Sequence, residues 1–256
     1  MDKIKVLMLA GGGESTSLMF NGISDSFDVC KVIIESPVSN KQLLKRRART
    51  LGIVKVFGQL CFMAYNKTLL KRLSLKQIIE IKRNKNLDDK DIDEKLITRV
   101  NSVNSTKTID ILKRIQPDIV IVNGSRIIKR EILESIDAPF INTHVGITPK
   151  YRGVHGGYWA LTENDIDNCG VTIHMIDTGI DTGGILYQEA IQVTNKDNFN
   201  TYPYLQIAAA IPLMKQAIKD LANNSISLQE VKLTSRLWSH PTLLDYFKNR
   251  ILNGVK

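Results

Sequence analysis

Cysteine is scarce: Cys30, Cys61 and Cys169 are the only three in 256 residues. Their odd number and wide spacing exclude a disulfide framework and a paired-cysteine metal site. So few thiols suit a reducing, cytoplasmic compartment. No apolar run reaches the ~18 residues that a membrane-spanning helix needs. The apolar stretch 3–10 is short and leads into a glycine turn, so it reads as a first strand and not as a secretion signal. No internal repeat is found, and sixteen Gly and seven Pro are too few for a fibrous or low-complexity chain. A globular chain remains, 43% hydrophobic and 24% charged, long enough for one sizeable domain with a small appendage.

Acid is missing from one long stretch. Residues 41–85 hold thirteen Lys and Arg against one acid, Glu80, a local net of +12, so the total of +9 leaves the remainder at −3. The basicity therefore belongs to a segment and not to the whole surface. This segment has no Pro, and Leu and Ile recur three and four apart, which predicts helix. Its apolar residues are too many for a helix wetted on all sides, so one face must bury. Three readings fit: a helical insertion with a solvated basic face, a surface for anionic lipid, or a site for a polyanionic acceptor such as RNA or a diphosphate-linked sugar. The expectation adopted is helices packed on the protein that form part of a subunit contact, as in a homodimer, or of an acceptor entrance. Peripheral membrane contact through 41–85 stands as the alternative.

Elsewhere strands and helices alternate. Continuous apolar or alternating runs predict strands over 3–10, 28–36, 117–122, 139–144, 170–177 and 184–193. Helical spacing marks 15–25, 106–116, 128–136, 153–164 and 201–223, the last interrupted by Pro212. Residues 86–106 are polar and read as a loop. The pattern predicts an α/β fold with a mostly parallel sheet, helices on both faces and an antiparallel hairpin, 170–193, at one edge.

Ligands of open α/β sheets sit beyond the carboxyl ends of the parallel strands. Asn142 and His144 stand where the strand 139–144 runs out, two apart and therefore pointing to the same side. A turn-capping Asn with a backbone-satisfied His fits the pattern equally well. The turn 176–184, "IDTGIDTGG", brings two acids, Asp177 and Asp181, to the same sheet end. Acids in such turns are usually turn formers. Next to an imidazole, however, a carboxylate fixes its orientation, and a primary amide can donate to a developing oxyanion. Amide, imidazole and carboxylate suffice to pass an acyl group to an amine, because the amine itself attacks. The glycine turn "GGGES" over 11–15 is a weaker candidate, for an anion at a helix start. His155 and His174 read as structural or solvent-facing, and Trp159 as packing on the sheet.

These residues also carry a resemblance. Asn142-x-His144, the Pro149 to Gly153 loop, Gly170 to Thr172 opening the next strand, and Asp181 to Gly183 before the hairpin resemble the folate-dependent formyltransferases. The likeness is strong over 117–193, weaker over 1–40, and not read over 41–100 or beyond 223. It implies a Rossmann-like fold and a catalytic domain over 1–223, with 41–100 as a helical insertion and 224–256 as a C-terminal extension. It implies an enzyme that takes a formyl group from 10-formyltetrahydrofolate without a metal. Asn142 would be the oxyanion donor. His144 would be the acid or electrostatic partner, and Asp181 the carboxylate that positions a proton-accepting water. The pterin would lie between the segments 123–128 and 177–181, against Ser125, Arg126, Ile127, Ile128, Leu133, Asp177 and Gly179. Arg152 and Tyr158 would face the amine.

Within that family, methionyl-tRNA formyltransferases usually carry a β-rich C-terminal domain. Here sixty-three residues follow Val193, and the first thirty read as helix. The hydrolases usually begin with a regulatory domain, whereas this sequence opens on the sheet. Glycinamide ribonucleotide transformylases typically lack the basic insertion. The resemblance is therefore read as closest to the sugar N-formyltransferases. The expected acceptor is a nucleotide- or lipid-linked amino sugar of surface polysaccharide synthesis, with no nucleic-acid partner. Glycinamide ribonucleotide and methionyl-tRNA are the alternative acceptors. A non-catalytic folate- or nucleotide-binding scaffold is the alternative of another class.

Overall fold

The computed structural model describes residues 3–256. The first half of the chain forms β1 (Lys5–Gly11), α1 (Glu14–Ser24), β2 (Asp28–Glu35), α2 (Asn40–Leu51), α3 (Ile53–Tyr65), a π turn (Asn66–Leu70), α4 (Lys71–Asn84), β3 (Ile97–Val100), α5 (Thr106–Ile115) and β4 (Ile119–Asn123). There follow α6 (Arg130–Leu133), β5 (Phe140–His144), β6 (Arg152–Gly153), α7 (Gly156–Thr162), β7 (Gly170–Met175), β8 (Ile185–Ala190), α8 (Tyr202–Ala222), β9 (Leu237–Trp238) and α9 (Leu243–Leu252).

Seven strands make one sheet in the order β3-β2-β1-β4-β5-β7-β8. Pairing is parallel from β3 to β5 and antiparallel for β5–β7 and β7–β8. This is the mostly parallel α/β sheet with an antiparallel edge that the sequence predicts. The apolar runs of β1 and β4 are continuous because helices cover both faces. Met8 and Ile121 pack with Met19 and Met214 of α1 and α8, while Leu7 and Val120 pack with Leu112 and Ile132 of α5 and α6.

Two elements differ from expectation. Residues 97–100, read as loop, form the edge strand β3, parallel to β2. An edge strand is half solvated, and only Val100 of its four residues is buried, so its apolar signal is weak. The helix read over 128–136 shortens to one turn, α6. The chain must turn back to enter β5 at Phe140, and Pro139 bars its predecessor from helix.

The basic stretch is helical as expected. α3, the π turn and α4 keep helical dihedrals through both junctions and make one rod over 53–84, ~48 Å long at 1.5 Å per residue. Its inner side buries Val56, Phe62, Leu70, Ile78 and Ile81. Phe62 packs with Tyr158, Phe199, Tyr202 and Tyr246, which ties the rod to α7, α8 and α9. By contrast α2 buries none of its residues. The C-terminal residues also join this body: β9 pairs with β6, α9 lies along α3, and Gln59 of α3 donates to His240 O at 2.7 Å.

Candidate functional site

In this strand order the topological switch lies between β1 and β4, the usual place for a ligand. Backbone closes it here. The turn after β1 passes so near the β4 loop that a Cβ on Gly11 would collide with Gly124 O. Glu14, in the first turn of α1, accepts from the Tyr204 hydroxyl at 2.6 Å and pairs with Lys82. The "GGGES" turn thus places a carboxylate where an anion was expected.

The cleft opens one strand over, beyond β4 and β5, with about 210 Å³ of room. Val122, Ile128 and Ile176 give it an apolar side, and Asn142, His174 and Asp181 give it a polar end. Ser125, Arg126, Ile127, Asp177 and Gly179 line it as well, so the two segments read from the sequence do face one space. Leu133 does not: it packs on the core beneath α6.

At the polar end, the antiparallel register sets Asn142 directly opposite His174 and His144 opposite Thr172. The Asn142 amide Nδ2 lies 3.1 Å from His174 Nε2. His174 Nδ1 lies 2.7 Å from Met175 O, and a carbonyl can only accept, so the ring proton sits on Nδ1. The Nε2 lone pair then accepts from Asn142, which fixes that amide with its nitrogen inward and one N–H free. Burial, the largest influence, pushes the His174 pKa down and keeps the ring neutral.

His144 is 5% exposed and lies behind Asp181, which lines the cleft. Its Nε2 donates to Tyr151 O at 2.6 Å, and its Nδ1 lies 3.3 Å from Asp181 Oδ2. Asp181 Oδ2 accepts from the Gly153 amide at 2.9 Å, and Oδ1 is 3.8 Å from His174 Nε2. Gly153 has φ +95°, and a Cβ there would strike Trp238 O, so the residue must be glycine for its N–H to reach Asp181. Asp181 has φ +50°, a left-handed conformation that Asp tolerates better than most residues.

The loop 123–128 is held by a carboxylate that sequence reading did not single out. Glu35, at the end of β2 and 7% exposed, accepts from the Arg126 amide at 2.6 Å and the Val103 amide at 3.1 Å. The Arg126 guanidinium lies 2.5 Å from the same carboxylate. Glu35→Gln keeps one acceptor oxygen and turns an NH2 toward a donor. The expected result is a loss of ~1–3 kcal/mol, the usual effect of orphaning one buried donor, read as a lower urea midpoint.

The two residues expected to face the amine part company. Arg152 is half-buried beside the cleft mouth, donates to Ser235 Oγ at 3.0 Å, and has a buried Nε without a partner. Tyr158 cannot contact a substrate in this arrangement. It is 1% exposed, sits in the aromatic cluster under α9, and its hydroxyl accepts from Asn249 at 3.1 Å. Helix α7 turns it inward. Trp159, read as packing on the sheet, stacks on Trp238 with centroids 4.7 Å apart.

Behind the loop, His155 and His240 share a hydrogen bond of 2.9 Å. Burial pushes their pKa values down to about 3 and about 4, helped by His240 beside His155 and by Arg47 beside both. Unfolded, each would titrate near ~6.5. The unfolded chain therefore gains protons first as pH falls. Stability is full above that value and declines toward pH ~4, by up to ~1.4 kcal/mol per pH unit for each ring. Urea unfolding of His240→Gln is expected to show a shallower decline than the wild type across this window.

Among the described residues no group of three His, Cys, Asp or Glu is placed to hold a metal ion. The sequence pattern of the family described as formyl transferase matches residues 67–206. It begins inside the stretch in which no likeness was read. The chain is 34% identical over 163 residues to a methionyl-tRNA formyltransferase of Kosmotoga olearia, covering 60% of this chain and 52% of that one. With the enzyme of the same name from Thermodesulfovibrio yellowstonii it shares 41% over 91 residues, 35% of this chain and 29% of that one. It thus spans about half or less of the curated relatives it matches. Two solved structures share the fold. A phosphoribosylglycinamide formyltransferase from Anaplasma phagocytophilum has a TM-score of 0.57 and 17% identity, over 92% of this chain and 98% of that one. A sugar N-formyltransferase from Shewanella sp FDAARGOS_354 has a TM-score of 0.55 and 17% identity, over 92% and 76%. With more than half of its length matched by the family's sequence pattern, the chain belongs to the formyl transferase family.

Proposed function

We propose that the chain transfers a formyl group from 10-formyltetrahydrofolate to the primary amine of an amino sugar carried on a nucleotide or a lipid diphosphate. The observation that carries the transfer is the meeting of Asn142, His144 and Asp181, with His174, at the polar end of an apolar-walled cleft. The cleft chemistry fits the donor: aliphatic walls for a flat ring, loop backbone at its edges, and one amide N–H aimed inward. When bound, the donor supplies an activated formyl group.

The chain does the rest. Asn142 directs its free N–H at the oxygen on which charge develops, and His174 holds the amide in place by accepting from its other N–H. Asp181, gripped by Gly153 and His144, would take the proton the attacking amine must lose, through a water it positions, and that proton would pass to the donor nitrogen as its bond to the formyl carbon breaks. His144 acts through Asp181 as a positioning residue, since both ring nitrogens are engaged within the protein. The sugar acceptor is supported by the fold shared with a sugar N-formyltransferase. A second acceptor, methionyl-tRNA, is favoured by the two bacterial relatives.

The protein should be incubated with the donor and each of a nucleotide-linked amino sugar, glycinamide ribonucleotide and methionyl-tRNA, and tetrahydrofolate release followed. Release with the amino sugar alone is expected. Release with methionyl-tRNA alone would replace the acceptor. Silence with every amine, together with no folate binding by calorimetry, would remove the reading. Folate binding without turnover would point to a scaffold.

A further inference from the structure

The outward sides of the 53–84 rod and of α9 are apolar. Ile53, Val54, Phe57, Leu73, Leu244 and Ile251 are between 68% and 87% exposed. α3 and α9 pack side by side, with Tyr65 and Phe247 ring centroids 5.4 Å apart, so the exposed side chains of the two helices adjoin. Scattered exposed aliphatics are ordinary, but a run of them along two adjoining helices marks an interaction site. Exposed cations interleave with them: Lys55, Lys67, Lys71, Arg72, Lys76 and Lys248.

We propose that this face docks the protein on the surface of an anionic lipid bilayer, its aliphatic side chains entering the headgroup boundary and its Lys and Arg meeting lipid phosphates. Interfacial helices have this composition. Charge selects the bilayer among the occupants. A second copy on a two-fold axis would set the same patch against itself, with Lys55, Lys67, Lys71, Arg72, Lys76 and Lys248 exposed on each side, and like charges brought face to face oppose docking. RNA would engage the cations, but its bases stack on aromatic rings, and Ile53, Val54, Leu73 and Leu244 would be left in water. A bilayer takes both kinds of side chain. No described helix is long and apolar enough to cross a membrane, so the contact is with the surface.

The rod is also continuous with the cleft's support. Gln59 holds His240 O, β9 pairs with β6, and Gly153 of β6 donates to Asp181. Docking does not depend on the acceptor reading, and either can fail alone.

The test is co-sedimentation of the whole chain with phosphatidylcholine vesicles, with and without ~30% phosphatidylglycerol, at ~0.1 and ~0.5 M salt. Two double variants are compared, Val54→Ser with Leu244→Ser and Lys71→Glu with Lys76→Glu, each checked for unchanged circular dichroism. Binding to the anionic vesicles alone is expected, weaker at high salt and about tenfold or more weaker in either variant. No binding to either vesicle, or variants that bind like the wild type, would overturn the proposal. A dimer by light scattering that Val54→Ser with Leu244→Ser dissolves would give the face to a second copy instead. Salt-sensitive binding to an RNA oligonucleotide that survives those serines, with no vesicle binding, would give it to RNA.

Discussion

Asn142→Ala is expected to lower kcat for formyl transfer by about 10²–10³, or ~2.7–4 kcal/mol, with KM for the donor changed only a few-fold. The size follows from what the amide does. On the proposed role its free N–H faces the place where negative charge grows, and such a donor gains most in the transition state. Methyl replaces it with nothing, and water brought in its place is not oriented in advance. The same substitution leaves His174 Nε2 without its 3.1 Å partner. That loss leaves a neutral acceptor, 3% exposed, unpaired in the cleft wall, so folding stability should also fall, by ~1–3 kcal/mol. Steady-state kinetics with the accepted amine, beside a urea curve, separates the two effects. A fall in stability that matched the fall in rate would make Asn142 a structural residue.

The fold was legible where the physics is local. β1 and β4 announce themselves as continuous apolar runs because both faces of the sheet are covered. Asn142 and His144 could be paired from the alternation of a strand alone. His174 could not, because its partner is set by the register between β5 and β7, which no local pattern fixes. The sequence clue was present nonetheless: His174 stands two residues from Thr172, on the same face of its strand. Tyr158 misled for the opposite reason. It lies near the Asn-x-His loop in sequence, yet α7 turns it toward α9, whose Tyr246 stacks on it with centroids 6.5 Å apart. The rod over 53–84 was readable as helix with one buried side. That its other side stays apolar in solvent depends on what the remaining chain leaves uncovered, and only the packed structure shows it.

Asp181→Asn is the substitution expected to do most damage, with kcat lowered about 10²–10⁴-fold, the span that general base catalysis usually contributes. The change is nearly isosteric, and Asn accepts left-handed dihedrals as readily as Asp, so the φ of +50° is kept. The amide oxygen can still accept from the Gly153 N–H, 2.9 Å away in the wild type. What disappears is the charge that, on the proposed role, takes the amine's proton, and the carboxylate that lies 3.3 Å from His144 Nδ1. His144→Ala removes the other member of that pair and should also lower kcat, while donor affinity by calorimetry stays within a few-fold in both. Because the two act as one unit, the double variant should be little slower than Asp181→Asn alone. Independent roles would instead multiply the two losses. A near-normal rate in Asp181→Asn would return the residue to turn formation, held by the Gly153 amide and its left-handed backbone.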